Sequence, residues 1–435
     1  MSGSNLLWTP AELAPASNNL LEQVVDRRNM VKACRRVVSN GGSPGVDGMS
    51  TKELWAWLQR NHERLAKSLL EGSYRPQPVR LVEIEKPGGG KRGLGIPTVV
   101  DRMIQQAVHQ VLNPLFDPEF SESSFGYRKG KSAEQAVLQA QGYMQEGKRW
   151  VVDVDLSKFF DEVNHDVLMA KIKRKVMDKR MLKLIDRYLR TGIMQDGVAS
   201  PRSQGTPQGS PLSPLLSNII LNELDKELER RGHSFCRYAD DFVIFVKSEK
   251  AAQRVYDSAV DFIERKLKLR INRSKSQITR YHRLTFLGFG FLPGNQARLR
   301  VPKEVQKRFR KKAKLLFRKG RGMNLRWFIN KYLNPFLRGW ANYYRLCKVK
   351  TMAEELDSWI RRRLRLIIWR QWKRLRTRYK RFITAGFDHD HAMQCAYNGR
   401  GPWWNSGAQH MNFVLPTAYF AKLGLVTLLV LIVKR

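Results

Sequence analysis

Cysteine is scarce in this chain, and its four cysteines are far apart. Cys34, Cys236, Cys347 and Cys395 include no Cys-x-x-Cys pair. Disulfide frameworks occur in small, cysteine-rich secreted domains, and structural zinc sites need closely spaced pairs. The sequence therefore predicts neither, and a reducing compartment suits it.

Long apolar runs are missing as well. The final segment, residues 423–433, is an 11-residue run with one glycine and one threonine. A helix that spans a bilayer needs roughly 20 such residues, so we expect a packed terminal helix or strand. The chain starts without a basic region and an apolar stretch, so no signal peptide is expected. The sequence predicts a cytoplasmic protein with no membrane partner.

Acidic residues are half as common as basic ones. The chain has 79 Lys and Arg against 39 Asp and Glu, a formal net charge of +40. Residues 301–385 alone hold 27 basic and 4 acidic residues, a net +23. Charge of this size favours a polyanionic partner. Nucleic acid is the predicted partner, and a membrane surface is the competing polyanion, for which the sequence has no lipidation signal.

Within this basic segment, apolar residues from Trp359 to Phe382 recur at helical spacing, with arginines and lysines between them. The pattern predicts one amphipathic helix with a cationic outer face. A merely solvated helix usually mixes charges of both signs, and the aromatic residues are expected in the core. The candidate RNA-binding residues are Arg361, Arg362, Arg363, Arg370, Lys373, Arg374 and Arg378.

Two adjacent carboxylates stand between strand-like apolar runs in residues 237–245. The segment reads Arg-Tyr-Ala-Asp-Asp-Phe-Val-Ile-Phe, and the acids are Asp240 and Asp241. Neighbouring acids in a tight turn are hard to bury without a cation. A hairpin turn that presents them fits a two-metal site for phosphoryl transfer. The alternative is a solvated turn, because Asp is common in turns.

A second acidic segment lies upstream, in residues 150–161. It reads Trp-Val-Val-Asp-Val-Asp-Leu-Ser-Lys-Phe-Phe-Asp. The valines predict a buried strand, and the two-residue period of a strand places Asp153 and Asp155 on one face. An acid at a buried strand end is costly unless a metal or a partner neutralises it. A third carboxylate brought to the Asp240–Asp241 turn would complete an oxygen site for Mg²⁺.

These two segments resemble parts of the reverse transcriptases. Residues 238–241, Tyr-Ala-Asp-Asp, are similar to the catalytic box of that family, and residues 155–161 are similar to its first catalytic motif. The resemblance implies an RNA-directed DNA polymerase with two Mg²⁺ ions. The implied catalytic residues and metal ligands are Asp155, Asp240 and Asp241, with Leu156 as a further metal contact.

The same resemblance implies a nucleotide site. Residues 205–216 resemble the box that contacts the incoming nucleotide, and residues 80–92 resemble the fingers hairpin, whose cations can clamp a triphosphate. From the residues alone, Phe160 could equally be a core residue at a strand-to-helix corner, whereas the family places it under the sugar. The implied nucleotide-binding residues are Lys86, Arg92, Arg80, Phe160, Asp161, Gln208, Gly209 and Ala239.

Further segments resemble the group II intron reverse transcriptases, most of all the compact bacterial class IIC members without an endonuclease domain. They are residues 41–48, 125–128 with 132–133, and 339–344. Residues 272–275 and 286–290 resemble the last palm boxes of reverse transcriptases, which pack the primer end. The resemblance covers residues 20–435. It implies a maturase that binds its intron RNA, assists splicing and copies the intron into a DNA target by target-primed reverse transcription. The implied partners are intron RNA in a ribonucleoprotein, target and primer DNA, and deoxynucleoside triphosphates.

Two other functions stay open from the residues. One is an RNA-binding splicing cofactor without polymerase activity, which the basic segment would support. The other is a host-domesticated reverse transcriptase that serves repair or defence. A bacterial cytoplasmic location, with nucleoid association during action on DNA, is expected for the intron reading.

One local cluster, Asp388-His-Asp-His391 with Cys395 nearby, could suggest a nuclease metal centre. The tail of about 50 residues has a single cysteine, too little for the His-Asn-His endonuclease domain of many relatives, so a polar loop is expected. Without a nuclease, such an element would depend on a ready-made primer, such as a nascent strand at a replication fork.

The predicted fold class is α+β, a right-hand polymerase with an antiparallel sheet backed by helices and an α-helical thumb. The predicted domains are an N-terminal extension (1–75), fingers and palm (76–295), a thumb or maturase domain (296–385) and a small basic DNA-binding-like tail (386–435).

Overall fold

The structure is a computed structural model that describes residues 19–85, 91–195, 198–200, 204–205 and 209–433. They divide into two compact units, one ending at residue 280 and one beginning at residue 281. The finer division into four domains stays a prediction. No helix in the described part of the chain is long and apolar enough to cross a membrane.

The first unit combines helices with two sheets. In chain order its elements are α1 (Leu20–Val25), α2 (Arg27–Asn40), α3 (Leu54–Leu70), β1 (Val79–Glu85), β2 (Lys91–Ile96), α4 (Val99–Phe116), α5 (Ala133–Gln145), β3 (Trp150–Val154), α6 (Phe159–Glu162), α7 (His165–Lys173), α8 (Lys179–Arg190), β4 (Ile193–Gln195), β5 (Val198–Ser200), α9 (Ser213–Arg230), β6 (Ser234–Tyr238), β7 (Asp241–Val246), α10 (Glu249–Arg265) and β8 (Gln277–Arg280).

The second unit is mainly helical. Its elements are β9 (Thr285–Phe286), β10 (Phe289–Phe291), β11 (Leu299–Arg300), α11 (Lys303–Lys319), α12 (Leu325–Phe328), α13 (Asn334–Tyr343), α14 (Lys350–Gln371), α15 (Leu375–Thr384), α16 (His389–Tyr397), α17 (Pro402–Asn405), α18 (Gln409–Val414) and α19 (Thr417–Lys422). Strands β11, β10 and β9 form a small antiparallel sheet, and π-helical turns cover Ile329–Leu333 and Leu429–Val433.

The central sheet of the first unit has the strand order β6-β7-β3-β8, and every neighbouring pair is antiparallel. Its strands form because β-branched and aromatic residues suit a pleated, buried surface. Val152 and Ile244 are completely buried in the same core cluster as Ile263 of α10. On that helix Ala252, Val255, Ala259 and Ile263 are buried at spacings of three and four residues, so α10 covers one face of the sheet. The predicted α+β fold with an antiparallel sheet is confirmed.

The smaller sheet has the order β2-β1-β4-β5 and contains the predicted hairpin. Strands β1 and β2 are antiparallel, with Glu85 paired to Lys91. The Pro-Gly-rich turn between them lies outside the described residues. Strand β4 runs parallel to β1.

The single helix predicted for residues 359–382 is wrong. Helix α14 ends at Gln371 and α15 begins at Leu375, because Trp372 leaves the helical conformation. The break lets Phe382 pack against Trp369 and Trp372, with ring centroids 6.5 and 6.4 Å away. Burial of these rings outweighs the few backbone hydrogen bonds that an unbroken helix would add.

The terminal apolar run packs as expected, and its last turn is π-helical. Leu428 and Ile432 are buried, whereas Val430 is half exposed. The backbone N–H groups of Leu428 and Leu429 donate to the Asp357 carboxylate at 2.8 and 3.0 Å. Asp357 therefore ties this terminal turn to α14.

Candidate active site

The paired carboxylates lie at the tip of the β6–β7 hairpin. Tyr238 pairs with Asp241, so the loop between the strands consists of Ala239 and Asp240. Ala239 has a positive φ of 60°, whereas the φ of Asp240 is not positive. A positive φ at the first loop residue only is the pattern of a type II′ turn, whose twist fits an antiparallel hairpin. Because this conformation costs an alanine about 1 kcal/mol or more, the surroundings must hold the turn.

The chain segment before α5 is one of the parts that hold it. The Phe125 N–H donates to the Arg237 carbonyl, and the Arg237 N–H donates to the Ser123 carbonyl, both at 2.9 Å. Gly126 then passes so close that an added Cβ would overlap the backbone nitrogen of Ala239. Only glycine permits this approach.

A buried ion pair holds the strand that leads into the turn. Arg237 and Asp225 are fully buried, and the Arg237 Nε donates to Asp225 Oδ1 at 2.8 Å. The Nη1 of Arg237 donates to the Ala239 carbonyl at 3.0 Å and to Asn218 Oδ1 at 2.9 Å. Asn218 in turn donates from Nδ2 to the Gly126 carbonyl at 2.9 Å. A continuous hydrogen-bonded network thus links α9 to the carboxylate turn.

Sequence reasoning missed this network. The available signal was Arg237 itself, because a cation inside an otherwise apolar strand needs a buried partner. The partner, Asp225, stands in an ordinary amphipathic helix pattern, and nothing in its spacing marks it.

Asp155 reaches the turn through the register of β3 with β7. Val154 pairs with Phe242, and one further step along both strands sets Asp155 opposite Asp241. Opposite residues in an antiparallel pair have Cα atoms about 4.5–5.5 Å apart. The sheet therefore brings the three predicted carboxylates together.

The residues that follow α10 brace Asp155. Its backbone N–H donates to Ser276 Oγ at 3.0 Å, and Leu156 bridges to Ile271. Lys275, which is exposed, places Nζ 3.8 Å from Asp155 Oδ2. This ammonium group is the positive charge that offsets the carboxylates.

The carboxylates lie close enough to repel one another. The pKa of Asp241 is raised to about 6, first by burial of the carboxyl group and then by the charges of Asp240, Asp155 and Asp153. Burial also raises the pKa of Asp153, against the effect of a hydrogen bond from Gln277 Nε2 at 3.3 Å. Negative charge is thus concentrated where protein atoms limit hydration.

The turn stays open to solvent on one side. Asp241 as a whole residue is exposed, although protein atoms crowd its carboxyl group from the other side. In the described part of the chain, no group of three His, Cys, Asp or Glu side chains is arranged to hold a metal ion by itself.

The helical turn after β3 carries the next predicted residues. Phe160 of α6 is buried and packs edge-on against Phe159, with ring centroids 5.2 Å apart, which agrees with the core alternative. Asp161 is exposed. Gly205 lies against it, since a Cβ added at Gly205 would be 2.7 Å from the Asp161 carbonyl oxygen, and the Gly205 N–H donates to the Val163 carbonyl at 2.8 Å.

The predicted nucleotide box runs from this corner to the smaller sheet. Gly209 has a φ of 105°, and an added Cβ would lie 3.0 Å from the Gly95 carbonyl oxygen of β2. Gln208 lies outside the described residues. Of the described residues of the box, Gly205 thus lies against α6 and Gly209 lies against β2.

The predicted cations of the hairpin are described only in part. Lys86 lies outside the described residues, and so does the side chain of Arg92. Arg80 has its Nε buried without a hydrogen-bond partner. The pKa of Arg102 is lowered, chiefly by burial, with Arg80 among the charges that lower it further. The Arg80 Nε is therefore a buried donor that finds no acceptor among the described residues.

Comparison with known proteins shows the family of the chain. Residues 84–291 match the reverse transcriptase (RNA-dependent DNA polymerase) family, and residues 306–384 match the group II intron maturase-specific domain. Protein YkfC of Escherichia coli is 33% identical over 311 residues, which cover 62% of this chain and 82% of YkfC. The chain belongs to the group II intron reverse transcriptase and maturase family.

Another relative extends well beyond the part that matches this chain. The group II intron-encoded protein LtrA of Lactococcus lactis is 30% identical over 342 residues, and these cover 63% of this chain and 57% of LtrA. Among solved structures, a chain of a partial Cas6-RT-Cas1–Cas2 complex is 26% identical with a TM-score of 0.37, over 57% of this chain and 42% of that one. The likeness to class IIC members and the lack of an endonuclease domain stay predictions.

The maturase-specific domain contains the predicted RNA-binding residues, and several of them pack against tryptophan rings. Arg362 and Arg363 lie over the Trp403 ring at 4.0 and 4.4 Å, and Arg378 lies over the Trp369 ring at 4.3 Å. Tryptophan rings therefore partly cover these three guanidinium groups, which do not form a purely solvent-exposed helix face. Arg361 is half-buried, and the exposed residues are Arg370, Lys373 and Arg374.

The histidine cluster near the C-terminal end is not a polar loop. Asp388 caps α16, since its Oδ1 accepts from the His391 N–H at 2.9 Å, and Cys395 is buried on the same helix. An N-cap uses Asp for its acceptor oxygen. In the described part of the chain, the side chains of this cluster are not arranged to hold a metal ion.

Proposed function

We propose that the chain copies RNA into DNA at the Asp155, Asp240 and Asp241 carboxylates, with two Mg²⁺ ions. The observation that supports this most is the strand register that sets Asp155 opposite Asp241, beside a hairpin turn that presents Asp240. Reverse transcriptase activity follows from the family, whereas the two-metal mechanism and the individual residue roles are our proposal.

The donor set suits Mg²⁺. Carboxylate oxygens are its preferred protein ligands, and it is usually bound by one or two carboxylates together with substrate phosphates and water. Burial raises the pKa of Asp241 first and repulsion by the neighbouring acids raises it further, and a nearby divalent cation would favour the charged carboxylate against both effects. Asp155, Asp240 and Asp241 would hold the ions, and the backbone carbonyl of Leu156 would be a further ligand. Bound ions of this kind activate the attacking hydroxyl and stabilise the leaving pyrophosphate.

The other predicted residues would bind and orient the nucleotide. Arg80 would donate its unpartnered Nε to a triphosphate oxygen, together with Lys86 and Arg92. Gln208 and Gly209 would position the base and sugar of the nucleotide. Because Gly209 has no side chain, the backbone at this residue could approach the nucleotide closely. Phe160 would lie under the sugar, and Asp161 and Ala239 would be further nucleotide contacts.

Intron RNA is the partner proposed for the maturase-specific domain. Target and primer DNA and deoxynucleoside triphosphates are the substrates, and we expect a ribonucleoprotein in the bacterial cytoplasm that associates with the nucleoid during action on DNA. A domesticated enzyme for repair or defence is not favoured, because the match to the maturase-specific domain covers residues 306–384. A role limited to splicing would not explain the carboxylate site.

The test replaces both turn carboxylates, as Asp240→Ala with Asp241→Ala. DNA synthesis on a primed RNA template should fall by about a thousandfold or more, because several kcal/mol of transition-state stabilisation are lost. The control replaces two exposed acids of α10, Asp257→Ala with Asp261→Ala, and should keep its activity. Polymerisation that survives in the turn variant would defeat the proposal.

A second experiment tests the proposed role in splicing. It assays splicing of a group II intron RNA with the same turn variant. The carboxylates are not needed for RNA binding, so splicing should continue. Splicing that stops together with polymerisation in a folded protein would contradict separate roles.

A further inference from the structure

A cavity of about 250 Å³ lies in the second unit, between α11, the turn after it and α14. Its lining combines three apolar side chains with five cationic ones and no acid. The cations are Lys314, Arg318, Arg321, Arg363 and Arg370.

Helical spacing on two elements produces this concentration of charge. Lys314 and Arg318 are four residues apart on α11, and Arg363 and Arg370 are two turns apart on α14, so each pair lies on one helix face. Gln371 ties the intervening turn to the end of α14, because its Nε2 donates to the Arg321 carbonyl at 3.2 Å. The cations are therefore held around the cavity by the fold.

These charges are not neutralised within the protein. In the described part of the chain, none of the five cations lies within ion-pair distance of an acid. The Nε of Arg363 is buried and has no hydrogen-bond partner. The pKa of Arg363 is lowered, first by burial and then by the nearby charges of Arg362 and Arg370. Repulsion of this kind disfavours the free protein and is relieved when an anion binds.

The floor of the cavity strengthens attraction for an anion. Phe317, Leu366 and Ile367 line it, and all three are buried. Apolar walls limit water and so reduce the screening of the surrounding charges. Four of the cations are exposed at its rim, which leaves the cavity accessible from solvent.

The chemistry of the lining identifies the class of ligand. Lysine and arginine side chains only donate hydrogen bonds, and the cavity has no side-chain acceptor for a base N–H. Phosphate oxygens only accept, and arginine binds them in bidentate pairs. The volume is several times that of a water molecule, about 30 Å³, which leaves room for a phosphate group with part of its sugar.

We propose that this cavity binds a backbone phosphate of RNA and fixes one point of the strand on the maturase-specific domain. The inference rests on the proposed function for its RNA partner. Free phosphate or pyrophosphate has the same chemistry, and the experiment separates the two sources.

The test uses the full chain with Arg318→Gln, Arg321→Gln and Arg370→Gln combined. These side chains are exposed, so the change removes charge without opening the core. The matched control is Arg308→Gln, Lys311→Gln and Lys312→Gln, three exposed cations of α11 outside the cavity. Affinity for a 20-nucleotide single-stranded RNA is measured against salt concentration.

The cavity variant should lower the slope of log affinity against log salt by about 0.7 or more, the value for one lost phosphate contact on a single strand. The control should change the slope by less than half as much. Equal slopes in the two variants would overturn the proposal. In thermal unfolding, pyrophosphate should stabilise the wild type and the control more than the cavity variant.

Two further outcomes are decisive. Stabilisation by pyrophosphate that depends on the cavity, with an unchanged RNA slope, would assign the cavity to a free anion and overturn the RNA claim. The readout is RNA affinity rather than DNA synthesis, so an unchanged slope in a protein that still polymerises would overturn the cavity inference alone.

Discussion

At the scale of the residue, Asp241 concentrates the chemistry of the first unit. It ends a two-residue loop, faces Asp155 across the sheet and has its pKa raised to about 6 by burial and by neighbouring acids. The cost of charging it is part of what makes the site receptive to a cation.

Replacing this residue, Asp241→Asn, should stabilise the protein when divalent ions are absent. Because the pKa in the folded state is raised above its unfolded value, the wild type loses stability as the pH rises through about 6. The melting temperature of the variant should exceed that of the wild type by roughly 1–2 °C at pH 8, and the difference should shrink toward pH 5. Thermal unfolding with a chelator measures it.

With magnesium present, the melting temperature of the wild type should exceed that of the variant. The ion would bind the wild-type carboxylates and stabilise the folded state by mass action. Asp257→Asn, an exposed acid on α10, is the control and should show neither effect. A variant that is less stable than the wild type at pH 8 in chelator would contradict the assigned repulsion.

At the scale of the element, the β6–β7 turn depends on a neighbour that is remote in sequence. The segment around Gly126 pairs with Arg237, and the network from Asp225 and Asn218 reaches both sides of the turn. The turn can keep Ala239 at positive φ because these contacts over-determine its path.

Gly126→Ala should therefore displace the turn. The added methyl group would overlap the backbone nitrogen of Ala239, so we expect a loss of about 2 kcal/mol or more in the free energy of unfolding, with DNA synthesis reduced at least tenfold. Urea unfolding and primer extension on RNA measure the two effects.

The matched control is Gly142→Ala, which adds the same methyl group inside α5 with nothing within 4 Å. It should stabilise the protein by up to about 1 kcal/mol, because alanine favours helix more than glycine does. Equal behaviour of the two variants would show that the close approach at Gly126 has no consequence.

At the scale of the whole molecule, charge dominates. A net charge of +40 disfavours a compact chain by self-repulsion, and a nucleic acid offsets it. The structure shows that part of this charge is internal, since Arg237 is paired with Asp225 in the core and Arg362 and Arg378 stack on tryptophan rings. The cations around the cavity have no acidic partner among the described residues and would be available to phosphates.

RNA affinity of the full chain should therefore depend steeply on salt. With 6–10 phosphate contacts, affinity should fall by about three orders of magnitude or more between 50 and 200 mM salt. Fluorescence anisotropy with a labelled intron RNA measures this dependence, and a neutral osmolyte at matched osmolality should leave the affinity unchanged. A decrease of less than tenfold would contradict a binding mode based on phosphates.

Much of the fold and the site could be predicted from local pattern. A run rich in valine predicted β3, and the acids of residues 240–241 between apolar runs predicted the turn. The break at Trp372 could not be predicted, because local spacing continues through it and the packing of Phe382 decides it. The capping role of Asp388 was missed because an Asp-His-Asp-His run also suits a loop.

The sequence by itself determined the residue types at the carboxylate turn, the strands that carry them and the excess of positive charge, because periodicity and composition are local properties. Only the tertiary structure decided which residues meet. The pairing of Asp225 with Arg237, the approach of Gly126 to Ala239 and the gathering of five cations around one cavity join segments distant along the chain. Such contacts depend on how buried polar groups find partners and how helix faces pack, and no local pattern encodes either.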